Sequence, residues 1–221
     1  FISFEGGEGS GKSTQSKMLK EYLETQGHTV VLTREPGGTA LGKELRDILL
    51  HTHDHVSPRA EALLYAADRA HHVDTLIRPA LERGEIVITD RYLDSSIAYQ
   101  GAGRVLSPGE VGRISRWATE SLIPTLTIII DLPSEIGLGR LKSKDRLESE
   151  PSAFHERVRQ EFLSLALLDP ERYLVVDGRH GIELIHSTIV SRVAELRDLN
   201  KIEKKPKTKK IKKPTLRKRA K

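Results

Sequence analysis

Gly6-Gly7-Glu8-Gly9-Ser10-Gly11-Lys12-Ser13 packs four glycines, a lysine and two hydroxyl groups into one short stretch. The spacing fits G-x-x-x-x-G-K-[ST], a loop that cradles polyphosphate. Polyphosphate presents several negative oxygens close together, so its loop needs many N–H donors within about 3 Å and no side chains in the way. Gly6, Gly7, Gly9 and Gly11 lack a Cβ and let the backbone wrap closely. Lys12 adds a cation and Ser13 a hydroxyl for Mg²⁺. A helix opening here, with Thr14 in its first turn, directs its positive end at the phosphates. The apolar Ile2 and Phe4 precede the loop and helical spacing follows it, as strand, loop and helix require. The stretch reads as a nucleoside-triphosphate loop.

Such a loop does not name a reaction. The N-K-x-D motif that reads guanine is missing, which argues against a GTP switch. The extra early lysine of partitioning ATPases is missing too, since Gly6-Gly7 stands there. What the chain has is a set of arginines beside loops or strand ends: Arg34, Arg69, Arg91, Arg140 and Arg146. Phosphoryl transfer between two nucleotides crowds donor and acceptor charge together, and cations must offset it.

The elements that would position these residues alternate between strand and helix. Strands are expected over Ile2–Glu5, Thr29–Thr33, Glu85–Asp90, Thr125–Asp131 and Tyr173–Asp177. Helices fall between them, including one long helix from Pro58 to Gly84 with Ser57 as N-cap, and a last helix from Gly181 to Leu199. Other helices are read over Ala40–Leu50, Leu93–Gln100, Pro108–Leu122, Ser134–Leu141 and Ser152–Leu168. Thr125–Asp131 is the most β-branched run and suits a central parallel strand. The fold class is therefore α/β, a five-stranded parallel sheet with helices on both faces. His51, His53 and His55 lie in a polar loop with no second ligand cluster and read as solvated.

The 221 residues include no cysteine, which excludes disulfides and thiolate chemistry and fits a reducing cytosol. No apolar run is long enough for a membrane span and no signal peptide is visible. The chain opens directly on the first strand, which suggests that a short N-terminal stretch precedes it. Of 36 basic and 31 acidic residues, twelve basic and one acidic lie from Lys201 onward, leaving 24 against 30 in the first 200. The body is thus mildly acidic, and the net +5 belongs to the tail. Residues 200–221 read as a disordered polybasic extension, either a solubilising tail or a non-specific nucleic-acid contact over 201–221.

Several motifs together carry a family likeness: Glu5 to Ser13, Thr33-Arg-Glu-Pro-Gly-Gly-Thr39, Leu64-Tyr-Ala-Ala-Asp-Arg69, Asp90-Arg-Tyr92, Ser95-Ser-Ile-Ala-Tyr-Gln-Gly101 and Arg146-Leu-Glu148. With them the chain resembles the bacterial thymidylate kinases over residues 1 to about 197. The resemblance implies transfer of the γ-phosphoryl of ATP to dTMP with Mg²⁺, by a cytoplasmic homodimer with no membrane attachment. It implies a nucleoside monophosphate kinase domain over 1–199, with a mobile lid over about 142–151.

The resemblance also implies site roles. Lys12, Arg91 and Arg146 would be catalytic, Arg146 arriving with the lid because the phosphate loop itself holds no arginine. Gly6 through Thr14 and Arg140 would hold ATP, Arg140 against the adenine. Ser13 and Asp90 would hold the metal. Glu8, Arg34, Pro36, Tyr65, Arg69, Arg91, Ser96, Tyr99 and Gln100 would hold dTMP. Within that set Tyr65 would stack on the base, Arg69 would donate to its carbonyl, and Tyr99 would crowd out a 2′-hydroxyl. The nucleophile would be a phosphate oxygen already largely ionised near neutrality, so no general base is required. Two other readings stand beside this one. A kinase acting on a nucleoside hydroxyl would need a base, and Glu8 is the residue it would use. A nucleic-acid-associated ATPase would draw on the basic tail.

Overall fold

The computed structural model describes residues 1–52 and 54–203, with residues 197–203 described by backbone alone. The tail beyond Glu203 and His53 of the histidine loop therefore lie outside the described residues. Five strands form one sheet in the order β2-β3-β1-β4-β5: β1 Ile2–Glu5, β2 Val30–Arg34, β3 Ile86–Asp90, β4 Leu126–Asp131 and β5 Tyr173–Asp177. Every pairing is parallel.

Nine α-helices are present among the described residues: α1 Lys12–Thr25, α2 Ala40–His51, α3 Pro58–His72, α4 Arg78–Glu82, α5 Leu93–Ser96, α6 Pro108–Ala118, α7 Ser134–Gly139, α8 Ser152–Leu168 and α9 Ile182–Glu203. None of the described helices is long and apolar enough to cross a membrane. Both faces of the sheet are covered, and the pleat explains how. Side chains alternate along a strand. Ile128 and Ile130 of β4 join Ile2, Phe4 and Ile88 against Leu19 and Leu23 of α1 and Ile185 and Ile189 of α9. Ile129, one residue away, points to the other face and packs with Phe154, Val158 and Phe162 of α8.

Parallel register sets the working edge. Phe4 of β1 pairs with Asp90 of β3, and Asp90 pairs with Arg34 of β2, so three strand ends stand level. The order of strands turns outward on both sides of β1, and the crevice beyond the carboxyl ends at such a point is where α/β sheets bind ligands.

Four of the expected helices come out differently. The long helix from Pro58 keeps its N-cap, Ser57 Oγ accepting from Ala60 N. At Val73–Ile77 it widens into a π turn, with Arg78 N donating to Val73 O, before α4 resumes. Pro79 has no N–H to return to Thr75 and its ring crowds that carbonyl, so the chain loosens there. The helix expected over Leu93–Gln100 is α only through Ser96, and Ile97–Gly103 is a second π turn. α6 stops at Ala118 rather than Leu122 because Glu120 and Ser121 adopt left-handed backbone, φ 48° and 59°. α9 runs past Leu199 to Glu203.

Candidate active site

The phosphate loop joins β1 to α1 over the working edge. It packs backbone to backbone against α7, and this contact is what glycine permits. A Cβ on Gly9 would lie 2.1 Å from Gly137 O, and one on Gly137 would lie 2.0 Å from Glu8 O. Lys12 Nζ donates to Gly7 O at 2.7 Å, inside the loop. Burial first, and then the Arg91 charge, lower the pKa of Lys12. Ser13 Oγ donates to Asp90 Oδ2 at 2.6 Å, a contact that the β1–β3 register makes possible. Arg140 sits on the outside of the loop, with Nη1 donating to Gly9 O at 2.9 Å.

Asp90 is followed by Arg91, whose backbone is left-handed at φ 71°. That conformation costs a residue with a Cβ about 1–3 kcal/mol and persists only where neighbours enforce it. Here Arg91 N donates to Phe4 O at 2.8 Å and Tyr92 N to Glu5 Oε1 at 2.8 Å. The guanidinium is fixed as firmly: Nη1 donates to Gly6 O and Ser95 Oγ, and Nη2 to Glu8 Oε1 and Tyr99 Oη. Burial alone would raise the pKa of Glu8, but the charges of Arg91 and Lys12 and the Tyr99 hydroxyl bring it down to about 2. Glu5 shows the opposite outcome. Burial and the nearby Asp94 carboxylate raise it to about 8, despite bonds from Ser95 and Tyr92.

Two cavities meet at this point. One is lined by the phosphate loop, Thr14, Arg34 and Asp90. The other is lined by Pro36, Tyr65, Arg69, Ser96, Tyr99 and Gln100. Glu8, Glu35, Arg46, Arg91 and Glu148 border both. The second π turn brings Tyr99 and Gln100 to the second cavity. There the Arg91 guanidinium lies over the Tyr99 ring, 4.8 Å from its centroid.

Arg69 is buried and nearly saturated. Its Nε donates to Glu35 Oε2 at 2.7 Å, its Nη1 to Ser96 and Ser115 hydroxyls, and its Nη2 to Tyr92 O. One N–H on Nη2 has no partner among the described residues, and Arg69 borders the second cavity.

Arg146 lies elsewhere. Its Nη2 donates to Glu61 Oε2 at 2.6 Å and its Nε to Leu49 O at 2.8 Å, and it borders a surface recess with Asp54, His55 and Arg104. The expected lid is tethered from its middle onward, because Leu147 is buried in the core beside Tyr99 and Phe154. Asp145 Oδ1 also caps the N–H groups of Leu147 and Glu148. Lys142 and Lys144 are exposed and have no salt-bridge partner among the described residues.

Reading by motif passed over Glu5, Glu35, Arg46 and Glu61. Glu35 lay inside the Arg34-Glu35-Pro36 motif, where it was the available signal. It holds both Arg69 and His72, the latter by a 2.9 Å contact to Nδ1. Arg46 donates to Pro36 O and borders both cavities, but it is one of many helical basic residues and nothing in its spacing distinguishes it.

Ser13 and Asp90 form the one metal-binding arrangement the resemblance implied. A hydroxyl and a carboxylate oxygen 2.6 Å apart suit Mg²⁺, which takes few protein ligands and fills its octahedron with water and phosphate oxygens. Among the described residues no group of three or more His, Asp or Glu side chains could form a denser cage.

Comparison with known proteins identifies the family. The family model described as thymidylate kinase matches residues 4–189. A thymidylate kinase of Clavibacter sepedonicus is 59% identical over 196 residues, 87% of this chain and 93% of the relative. One from Bifidobacterium longum is 54% identical, over 89% of this chain and 98% of its own length. The crystal structure of thymidylate kinase from Ehrlichia chaffeensis superposes with a TM-score of 0.73 at 34% identity, covering 87% of this chain and 97% of that one. The chain belongs to the thymidylate kinase family.

Proposed function

We propose that the chain transfers the γ-phosphoryl group of ATP to the 5′-phosphate of dTMP, giving ADP and dTDP. The observation that carries this reading is Arg91, partly buried at the junction of the two cavities and held there by both walls. The phosphate-loop cavity takes the triphosphate and the Tyr65–Gln100 cavity takes the nucleotide base. An arginine between them, on exchanging its bonds to Gly6 O and Glu8 Oε1 for phosphate oxygens, fixes the in-line approach, and alignment of this kind supplies several kcal/mol of the barrier.

Each neighbouring residue has a defined task. Lys12 turns from Gly7 O to the transferring oxygens and offsets their charge. Ser13 and Asp90 hold Mg²⁺, which when bound screens the phosphate oxygens from one another. Arg34, expected against dTMP, lines the phosphate-loop cavity instead and adds a cation where the phosphates meet. Tyr65 lies under the base, and the remaining N–H of Arg69 meets a base carbonyl. Tyr99, bonded to Glu8 and Arg91, crowds the sugar. Arg140 keeps the outer edge of the loop beside the ATP. Arg146 stays on Glu61 and holds the root of the lid.

Glu8 argues against a hydroxyl acceptor. A carboxylate whose pKa is about 2 is too weak a base to draw a proton from an alcohol. ATP consumption with dTMP and with thymidine as separate acceptors tests the point. Turnover with dTMP and none with thymidine is expected, and turnover with thymidine would overturn the phosphate-acceptor reading.

A homodimer is part of the reading. Ala62 and Leu63 of α3 and Val111 and Ile114 of α6 line an apolar groove, with Leu63 57% exposed, where a second copy would cover them. Sedimentation equilibrium should give twice the chain mass.

A further inference from the structure

We infer that Glu61 sets the choice of base at the acceptor site, as a positioning residue that fixes the side-chain amide of Gln100. The cavity then accepts a pyrimidine bearing a ring N–H and rejects one with a bare ring nitrogen. The inference rests on the acceptor cavity described under Proposed function.

Glu61 lies in the first turn of α3 with its side chain fully enclosed. Its Oε1 accepts from Gln100 Nε2 at 2.9 Å and from Arg104 Nε at 3.1 Å. Its Oε2 accepts from Arg104 Nη2 at 3.1 Å and from Arg146 Nη2 at 2.6 Å. Burial opposes the charge, but the bonds from Arg104, Gln100 and Arg146 outweigh it and hold the pKa below the usual carboxylate value. Glu61 is therefore ionised and can only accept. Arg104 is itself held in place by a second carboxylate, Glu150.

A side-chain amide has a donor end and an acceptor end, and its neighbours decide which way it faces. Opposite a carboxylate that can only accept, Gln100 must present its NH₂. Its Oε1 is thereby turned to the other side. Among the described residues no group donates to that oxygen, and the cavity that Gln100 lines is the acceptor cavity.

Thymine and uracil carry an N–H at the ring position between their carbonyls, which pairs with an amide oxygen. Cytosine carries a lone pair there, so an amide oxygen meets it with repulsion and is left unpaired. Neither arginine lines the acceptor cavity. Their part is to keep Glu61 charged, and Glu61 in turn keeps Gln100 facing one way.

The test is kcat/KM for dTMP, dUMP and dCMP in the full chain, comparing wild type with Glu61→Gln, Gln100→Leu and the double variant. A neutral amide at position 61 can donate as well as accept, so it frees Gln100 to turn over. Glu61→Gln should lower the dTMP/dCMP preference about ten- to a hundredfold and leave dTMP/dUMP unchanged. Gln100→Leu should lower dTMP/dCMP comparably, and the double variant no further. Damage to the fold would depress all three substrates alike, which these ratios separate.

If Gln100→Leu lowers the preference and Glu61→Gln does not, the inference is overturned while the acceptor cavity stands. If neither lowers it, Gln100 does not meet the base, and the inference falls with that part of the cavity. Should Glu61→Gln fail to fold, Glu61→Asp keeps the charge for the arginines but draws back from Gln100. The same fall in dTMP/dCMP is then expected, and an unchanged ratio overturns the inference.

Discussion

Arg91 carries its guanidinium on a backbone that residues with a Cβ seldom adopt, and Glu5 is part of what holds it there. Glu5 Oε1 takes the N–H of Tyr92, and Oε2 takes the Ser95 hydroxyl that Arg91 also touches. With a pKa raised to about 8, Glu5 keeps its proton in the fold over a range where the unfolded chain has lost it, above its ordinary 4.5. Folding therefore becomes less favourable as pH rises between those two values, because the native state binds the extra proton. Glu5→Gln imitates the protonated acid and removes that dependence. Its stability relative to wild type should improve by about 1 kcal/mol or more between pH 5 and pH 8. Urea unfolding at several pH values across that range measures it, and parallel curves would mean that Glu5 is ionised in the fold. Glu8 has the opposite sign: its contribution is present above 4.5 and is lost as pH falls toward about 2.

At the scale of elements, the pairing of the phosphate loop with α7 has the least room. A methyl group at position 137 would fall 2.0 Å from Glu8 O, so either α7 or the loop must move. Gly137→Ala should cost about 1–3 kcal/mol of stability and raise the KM for ATP about tenfold, with the KM for dTMP little changed. Steady-state kinetics and thermal melting read both effects, and an unchanged ATP KM would show that the loop does not depend on this contact. Neither that contact nor the position of Arg146 could be read along the chain. The glycine loop, the five strands and the N-caps are local patterns, and the sequence displays them. The Arg146–Glu61 pair spans 85 residues, and its partner is an ordinary first-turn glutamate until folding encloses it. The resemblance implies an Arg146 that reaches the phosphates when the lid closes, and in this structure its guanidinium is bonded to Glu61. The π turn at Val73–Ile77 could have been foreseen from Pro79, whereas the one at Ile97–Gly103 carries no comparable marker beyond Gly101 and Gly103.

Over the molecule as a whole, parallel register brings three strand ends level, and from them hang the phosphate loop, the Arg34–Thr39 loop and the Asp90–Arg91 turn. Two cavities result, with two arginines and three carboxylates shared along their border. Charge compensation at that border is the whole of the proposed catalysis, and Arg91 is its centre. The most direct measurement is therefore the initial rate of dTMP phosphorylation by wild type and Arg91→Ala at saturating ATP and dTMP. Melting curves should accompany it, to show that the variant is folded at the assay temperature. The arrangement predicts a kcat about 10²–10³-fold lower in the variant, with the KM for ATP little altered. A folded Arg91→Ala variant with wild-type kcat would contradict the placement of phosphoryl transfer at this junction.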